Sequence, residues 1–117
     1  MTNSGDDYPP EVSERINRAR ASRQAVQARD PSFFAAVSGA MFKHDPIGIN
    51  FEGNTDEYDA EAGTVIPRLS MCRSPDDVAS VLHEEFQSWF GAETAGTLAS
   101  YVGLAAEIWL LMARRGA

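Results

Sequence analysis

Residues 74–91 read SPDDVASVLHEEFQSWFG, and this stretch carries the clearest helix signals in the chain. Ser74 is a favoured N-cap residue, and Pro75 suits the first helical position because its missing N–H needs no partner there. Apolar side chains then recur at three- and four-residue spacing: Val78, Leu82, Phe86 and Trp89. Gly91 stands where a left-handed C-terminal cap belongs. The stretch therefore predicts an amphipathic helix from Pro75 to about Phe90.

The remaining sequence favours helices as well. Asp30 and Pro31 repeat the cap-and-proline start, which predicts a helix over 31–43. An arginine-rich helix over 11–29 precedes it, and a long apolar helix over 94–115 ends the chain. A further helix is expected to begin at Asn54 or Thr55 and to kink or restart near Thr64, because Pro67 cannot donate a backbone hydrogen bond. The predicted fold class is all-α, a single-domain bundle of four to five helices with one structured loop over 44–54.

Length and composition set the domain organisation. The chain has 117 residues, which is enough for one domain. Residues 1–10 predict a disordered tail, and 11–117 a single helical domain. One cysteine, Cys72, excludes an intramolecular disulfide and agrees with a reducing compartment. The polar start is unlike a secretory signal, and the apolar stretch over 98–112 is too short to cross a bilayer, so we expect a soluble, cytoplasmic protein.

Acidic residues are concentrated in the middle of the chain. The net charge is −7, and residues 44–93 hold eleven Asp and Glu against two Lys and Arg. Phosphate attracts basic faces, so this balance disfavours nucleic acid as a ligand. We therefore expect a basic protein partner and neither nucleic acid nor membrane binding.

The segment from His44 to Asp59, HDPIGINFEGNTDEYD, mixes acids, apolar residues and turn formers in one short connection. One interpretation is a partner-binding surface in which acids surround two aromatic anchors. Its candidate residues are Asp45, Phe51, Glu52, Asp56, Glu57, Tyr58 and Asp59. The other interpretation is a loop pinned to the core, in which Asp45 caps a turn while Ile47, Ile49 and Phe51 fill the bundle.

Sequence motifs that would indicate catalysis or metal binding are weak. The run His83-Glu84-Glu85 lacks the second histidine of a zinc-protease helix, since Gln87 occupies that place. No catalytic residue, metal ligand or cofactor is predicted, and Cys72 is interpreted as a small core or boundary residue. Two alternatives stay open: a small metal- or carboxylate-dependent enzyme centred on His44, Asp45, His83 and Glu84, and a homodimeric structural or regulatory module that uses the arginine-rich helix.

Over residues 42–91 the chain resembles a group of small, mostly uncharacterised bacterial proteins. The shared motifs are DPIGI at 45–49, NTDEYD at 54–59, VIPRL at 65–69 and HEEFQSWFG at 83–91. Members look like proteins found near bacterial toxin systems. The resemblance implies an immunity or antitoxin role, and it transfers no catalytic residue. Together with the acidic middle segment, it leads us to expect a basic, nuclease-like toxin domain as the partner.

Overall fold

The computed structural model describes residues 10–48 and 57–116, and these residues contain helices and no strand. The all-α prediction is therefore confirmed. Six α-helices and one 3₁₀ helix follow in chain order: α1 Pro10–Arg29, α2 Pro31–His44, α3 Asp59–Leu69, α4 Pro75–Phe90, α5 Ala92–Ala95, the 3₁₀ helix Leu98–Tyr101, and α6 Val102–Gly116. Of the predicted tail, only Pro10 is described, and it begins α1.

Both predicted cap-and-proline starts are confirmed. The Asp30 carboxylate accepts a hydrogen bond from the Phe33 backbone N–H at 3.2 Å. The Ser74 hydroxyl accepts one from the Asp77 N–H at 3.1 Å. Each bond satisfies an amide that the first helical turn otherwise leaves without an acceptor. Gly91 ends α4 with a φ of 87°, a backbone conformation that favours glycine.

The hydrophobic core lies between α2, α3, α4 and α6, and Phe86 stands near its centre. The Phe86 ring centroid is 5.9 Å from that of Tyr58, 5.4 Å from that of Tyr101 and 5.8 Å from that of Phe90. These tilted pairs join side chains of α3's start, the 3₁₀ helix and α4 in one aromatic cluster. Helix α1 contributes no fully buried residue among its described side chains, and its Val26 packs on the core only partly. This agrees with its arginine-rich sequence.

Helix α1 lies against α3 at a very close backbone approach. A Cβ atom added to Gly63 would stand 2.7 Å from the Arg23 Cα. Only a glycine allows the two helices to meet at this distance, so Gly63 belongs to the packing of α3 against α1 within a continuous helix.

Two predicted helix boundaries are wrong. The third helix begins at Asp59, with Tyr58 as its N-cap, because residues 57–58 form a turn that carries the Tyr58 ring into the core. Asn54 and Thr55, the predicted caps, lie outside the described residues. The same helix also runs through Pro67 to Leu69 without the predicted restart.

The predicted long helix over 94–115 is divided into α5, the 3₁₀ helix and α6. Gly96 has a φ of 79°, which ends α5 after one turn. The Tyr101 hydroxyl donates to the Ala95 carbonyl at 2.6 Å and the His83 Nε2 donates to the Gly96 carbonyl at 2.9 Å, so both orphaned carbonyls find side-chain partners. The breaker signal was therefore Gly96.

Among the described helices, none combines the length and the apolar character that crossing a bilayer requires.

Replacing Gly63 with alanine is predicted to lower the free energy of unfolding by about 1–3 kcal/mol, because the new Cβ overlaps the Arg23 backbone. Gly39→Ala is the matched control. Gly39 lies within α2, and a Cβ there meets no atom within 4 Å, so this change should stabilise the protein by about 0.5–1 kcal/mol. Urea denaturation of both variants measures the difference. Equal effects of the two substitutions would contradict the close approach of α1 and α3.

Candidate functional site

The segment that the sequence singled out is anchored by Tyr58. Its side chain is completely buried, and its hydroxyl donates to the Asp45 Oδ1 at 2.7 Å. The Ile47 backbone N–H lies 3.4 Å from the same hydroxyl oxygen and donates to it. Tyr58, predicted as an aromatic anchor for a partner, is thus a core residue. Its ring is buried, and its hydroxyl is bonded within the fold.

Asp45 ends helix α2. It has a φ of 49°, the left-handed conformation that aspartate tolerates better than most residues, and its N–H donates to the Met41 carbonyl at 2.7 Å. The Gly48 N–H donates to the Asp45 carbonyl at 3.2 Å, which closes the following turn. Ile47 packs against the core from this turn. Asp45 therefore caps a turn, as the core-pinned interpretation requires.

Asp59 also makes an internal contact. The buried Ser38 hydroxyl of α2 donates to its Oδ1 at 2.5 Å. Glu57 is half-buried in the turn before α3. The other candidates of the predicted surface, Phe51, Glu52 and Asp56, lie outside the described residues.

Glu61, near the start of α3, is buried, with 5% of its surface exposed. Burial raises the pKa of the Glu61 carboxyl to about 7, and the nearby charges of Asp59 and Glu57 act in the same direction. A backbone hydrogen bond opposes this shift. Among the described residues its Oε1 atom has no hydrogen-bond partner. Glu61 is therefore a titratable group held inside the fold.

Most of the exposed acids among the described residues of the middle segment lie instead on α4. Asp76, Asp77 and Glu84 are exposed on the helix side opposite the core, with the small polar residues Ser80 and Ser88 at the same helical spacing. Neither Asp76 nor Asp77 is among the candidate residues of the predicted partner-binding surface. These polar positions alternate with the apolar positions of α4, and this spacing could have predicted the surface from the sequence. We call this surface the α4 acidic face and define it by Asp76, Asp77, Ser80, Glu84 and Ser88.

Some carboxylates on and beside the α4 acidic face form hydrogen bonds or ion pairs within the protein. The Arg68 guanidinium binds the Glu84 carboxylate at 2.7 Å and the Glu85 carboxylate at 2.9 Å, which joins α3 to α4. Asp77 accepts a hydrogen bond from the Arg73 backbone N–H at 2.8 Å. Two carboxylates share one guanidinium at Arg68, so a negative excess remains beside it.

Exposed apolar side chains mark two other places. Met71, in the turn before α4, is 80% exposed. Leu98, Val102 and Leu110 are 44%, 54% and 56% exposed along the 3₁₀ helix and α6. Leu98 and Val102 belong to the apolar stretch of the predicted last helix, but neither side chain is buried. The face centred on Tyr101, Leu104 and Ile108 is buried in their place.

The residues of the enzyme alternative make separate contacts. His44 Nε2 lies 2.9 Å from the Glu107 Oε1, and Lys43 Nζ lies 2.8 Å from the same oxygen. These hydrogen bonds from Lys43 and His44 lower the pKa of Glu107. His83 bonds to the Gly96 carbonyl, and Glu84 pairs with Arg68.

The described part of the chain includes no group of three or more His, Cys, Asp or Glu side chains arranged for one metal ion. Cys72 is half-buried beside the Arg68 carbonyl, 3.8 Å from its Sγ. Burial raises the pKa of the Cys72 thiol, and the charge of Asp77 adds to this effect. A raised pKa disfavours the reactive thiolate.

Comparison of the chain with protein-family models, with curated proteins and with solved structures found no match in any of the three.

The buried carboxyl of Glu61 predicts a pH-dependent stability. Its pKa in the folded state lies above that in the unfolded state, so its protonated form favours folding. That contribution is complete below the unfolded pKa and is lost as the pH rises through about 7. Glu61→Gln removes the titration. The free energy of unfolding of the natural protein, relative to this variant, should fall by about 2–3 kcal/mol between about pH 5 and about pH 8.

Denaturation at several pH values measures this difference. Glu93→Gln, at an exposed position, is the control for the loss of one negative charge. A difference between the natural protein and Glu61→Gln that stays constant with pH would show that Glu61 is not held in a desolvated site.

Proposed function

We propose that this chain is a cytoplasmic protein-binding module, immunity- or antitoxin-like, which neutralises a basic, nuclease-like toxin domain by occlusion. It binds its partner stoichiometrically and performs no chemistry. The observation that carries the proposal is the α4 acidic face, where carboxylates at helical spacing project away from the core. The resemblance of residues 42–91 supplies the class of partner.

The location of the charge favours α4 over the loop that precedes α3. Asp45 and Asp59 already accept hydrogen bonds from Tyr58 and Ser38, so a partner would have to break internal contacts to reach them. Asp76 is exposed on a regular helix and needs no rearrangement to meet a cationic surface, while the exposed Glu84 carboxylate is paired with Arg68. A preorganised surface loses less conformational entropy on binding.

Charge complementarity between two proteins increases their association rate more than it increases their affinity. Four carboxylates lie on or beside the α4 acidic face, at positions 76, 77, 84 and 85. Two guanidinium groups, those of Arg68 and Arg73, offset part of this negative charge. The remaining negative potential attracts a cationic partner over about one Debye length. Met71, highly exposed in the turn that leads into α4, offers an adaptable apolar contact next to these acids in the chain. Steering by the acids and burial of Met71 together fit a protein–protein interface.

The proposal predicts a salt-dependent effect of charge reversal on α4. The tagged chain, purified from its native cell, should bring with it a cationic protein in a one-to-one ratio and abolish that protein's nuclease activity. Asp76→Lys should slow association with this partner by about three- to tenfold at low salt, and high salt should remove the difference. Stopped-flow measurement of the association rate gives both values.

Glu14→Lys is the matched control. It changes the net charge by the same amount at an exposed position of α1, which packs against α3 and α2. An association rate that responds equally to both substitutions, or to neither, would contradict a docking role for α4. Recovery of only acidic or substoichiometric proteins would contradict the proposed partner class.

A further inference from the structure

A cavity of about 320 Å³ opens where α1, α3, the start of α2 and the end of α6 meet. Its apolar wall consists of Val26, Phe33, Ile66 and Pro67. This volume lies within the range of sites for small organic ligands. The cavity is built from elements other than α4, so it is separate from the α4 acidic face.

Charged groups line the same cavity. Its lining includes two arginines, Arg29 at the end of α1 and Arg115 near the end of α6, and one aspartate, Asp30. The cavity therefore carries a net charge of +1 in a chain whose overall net charge is −7. A ligand with one negative charge would make it neutral, whereas a dianion would leave an excess.

The contacts of Arg115 fix one of these cations above the apolar wall. Its Cζ atom lies 3.8 Å from the centroid of the Phe33 ring, a cation–π contact that holds the guanidinium in place. The nearest carboxylate oxygen of Asp30 is 3.8 Å from the Arg115 Nη1, too long for a strong hydrogen bond. Asp30 uses its other oxygen to cap α2. Arg115 thus has hydrogen-bonding capacity that Asp30 does not take up.

We propose that this cavity binds a small organic acid with one carboxylate and a flat apolar body. The carboxylate pairs with Arg115 and Arg29, and the body packs against Phe33 and Ile66. Arginine suits this role because its planar fork of donors matches a carboxylate. The apolar wall contributes binding free energy that a simple anion cannot gain, because such an anion has no apolar body.

Titration of the full chain with benzoate, followed by the amide resonances of Val26, Phe33 and Ile66, tests the proposal. We expect saturable shifts with a dissociation constant of about millimolar size, as suits so small a ligand. Benzamide has the same shape without the charge and should bind at least about fivefold more weakly. Inorganic phosphate, which lacks the apolar body, should also bind more weakly.

Variants locate the site. Arg115→Gln should weaken benzoate binding by about fivefold or more, whereas Arg114→Gln, at the adjacent exposed arginine outside the cavity lining, should change it less than about twofold. Ala25→Phe places a large side chain in the cavity without altering either arginine, and it should abolish binding. The absence of saturable shifts, equal binding of benzamide or phosphate, or equal effects of the two arginine substitutions would overturn the proposal. Undiminished binding by Ala25→Phe would do the same.

Discussion

Tyr58 brings a hydroxyl group into the core of this bundle, and a buried hydroxyl without a partner is costly. Asp45 provides that partner at 2.7 Å from the end of α2, while the Tyr58 ring packs against Phe86 in the aromatic cluster. This contact joins the end of α2 to the start of α3. It also explains why α3 begins only at Asp59, because the preceding turn is needed to direct the Tyr58 ring inward.

The same constraint divides the acidic residues into two groups. Asp45, Asp59 and Glu61 lie near the junction of α2 and α3, and they are hydrogen-bonded or buried there. The acids of α4 have no such role in the core, and Asp76 and Glu84 are exposed. The net charge of the middle segment therefore overstates the negative potential of any single surface formed by its described residues. We therefore place the proposed docking surface on α4 and not on the loop, while the lining of the cavity beside Arg115 has a net positive charge.

The sequence was informative where a feature depends on neighbours in the chain. The caps at Asp30 and Ser74 are local chemistry within three residues, and both were predicted correctly. The burial of Tyr58 depends on Asp45, thirteen residues earlier and in a left-handed conformation, so spacing alone did not reveal it. The exposure of Val102 depends on tertiary packing, because α6 is apolar on more than one side. Gly96 was the one local signal that the prediction of a long final helix overlooked.

A double-mutant cycle on Tyr58 and Asp45 tests this account most directly. Tyr58→Phe removes the hydroxyl, and Asp45→Gly removes the acceptor while glycine adopts the left-handed backbone freely. If the contact fixes the junction, each substitution lowers the free energy of unfolding, and the coupling energy between them is at least about 1 kcal/mol. A coupling energy within about 0.3 kcal/mol of zero would contradict the account, because the two residues would then contribute independently.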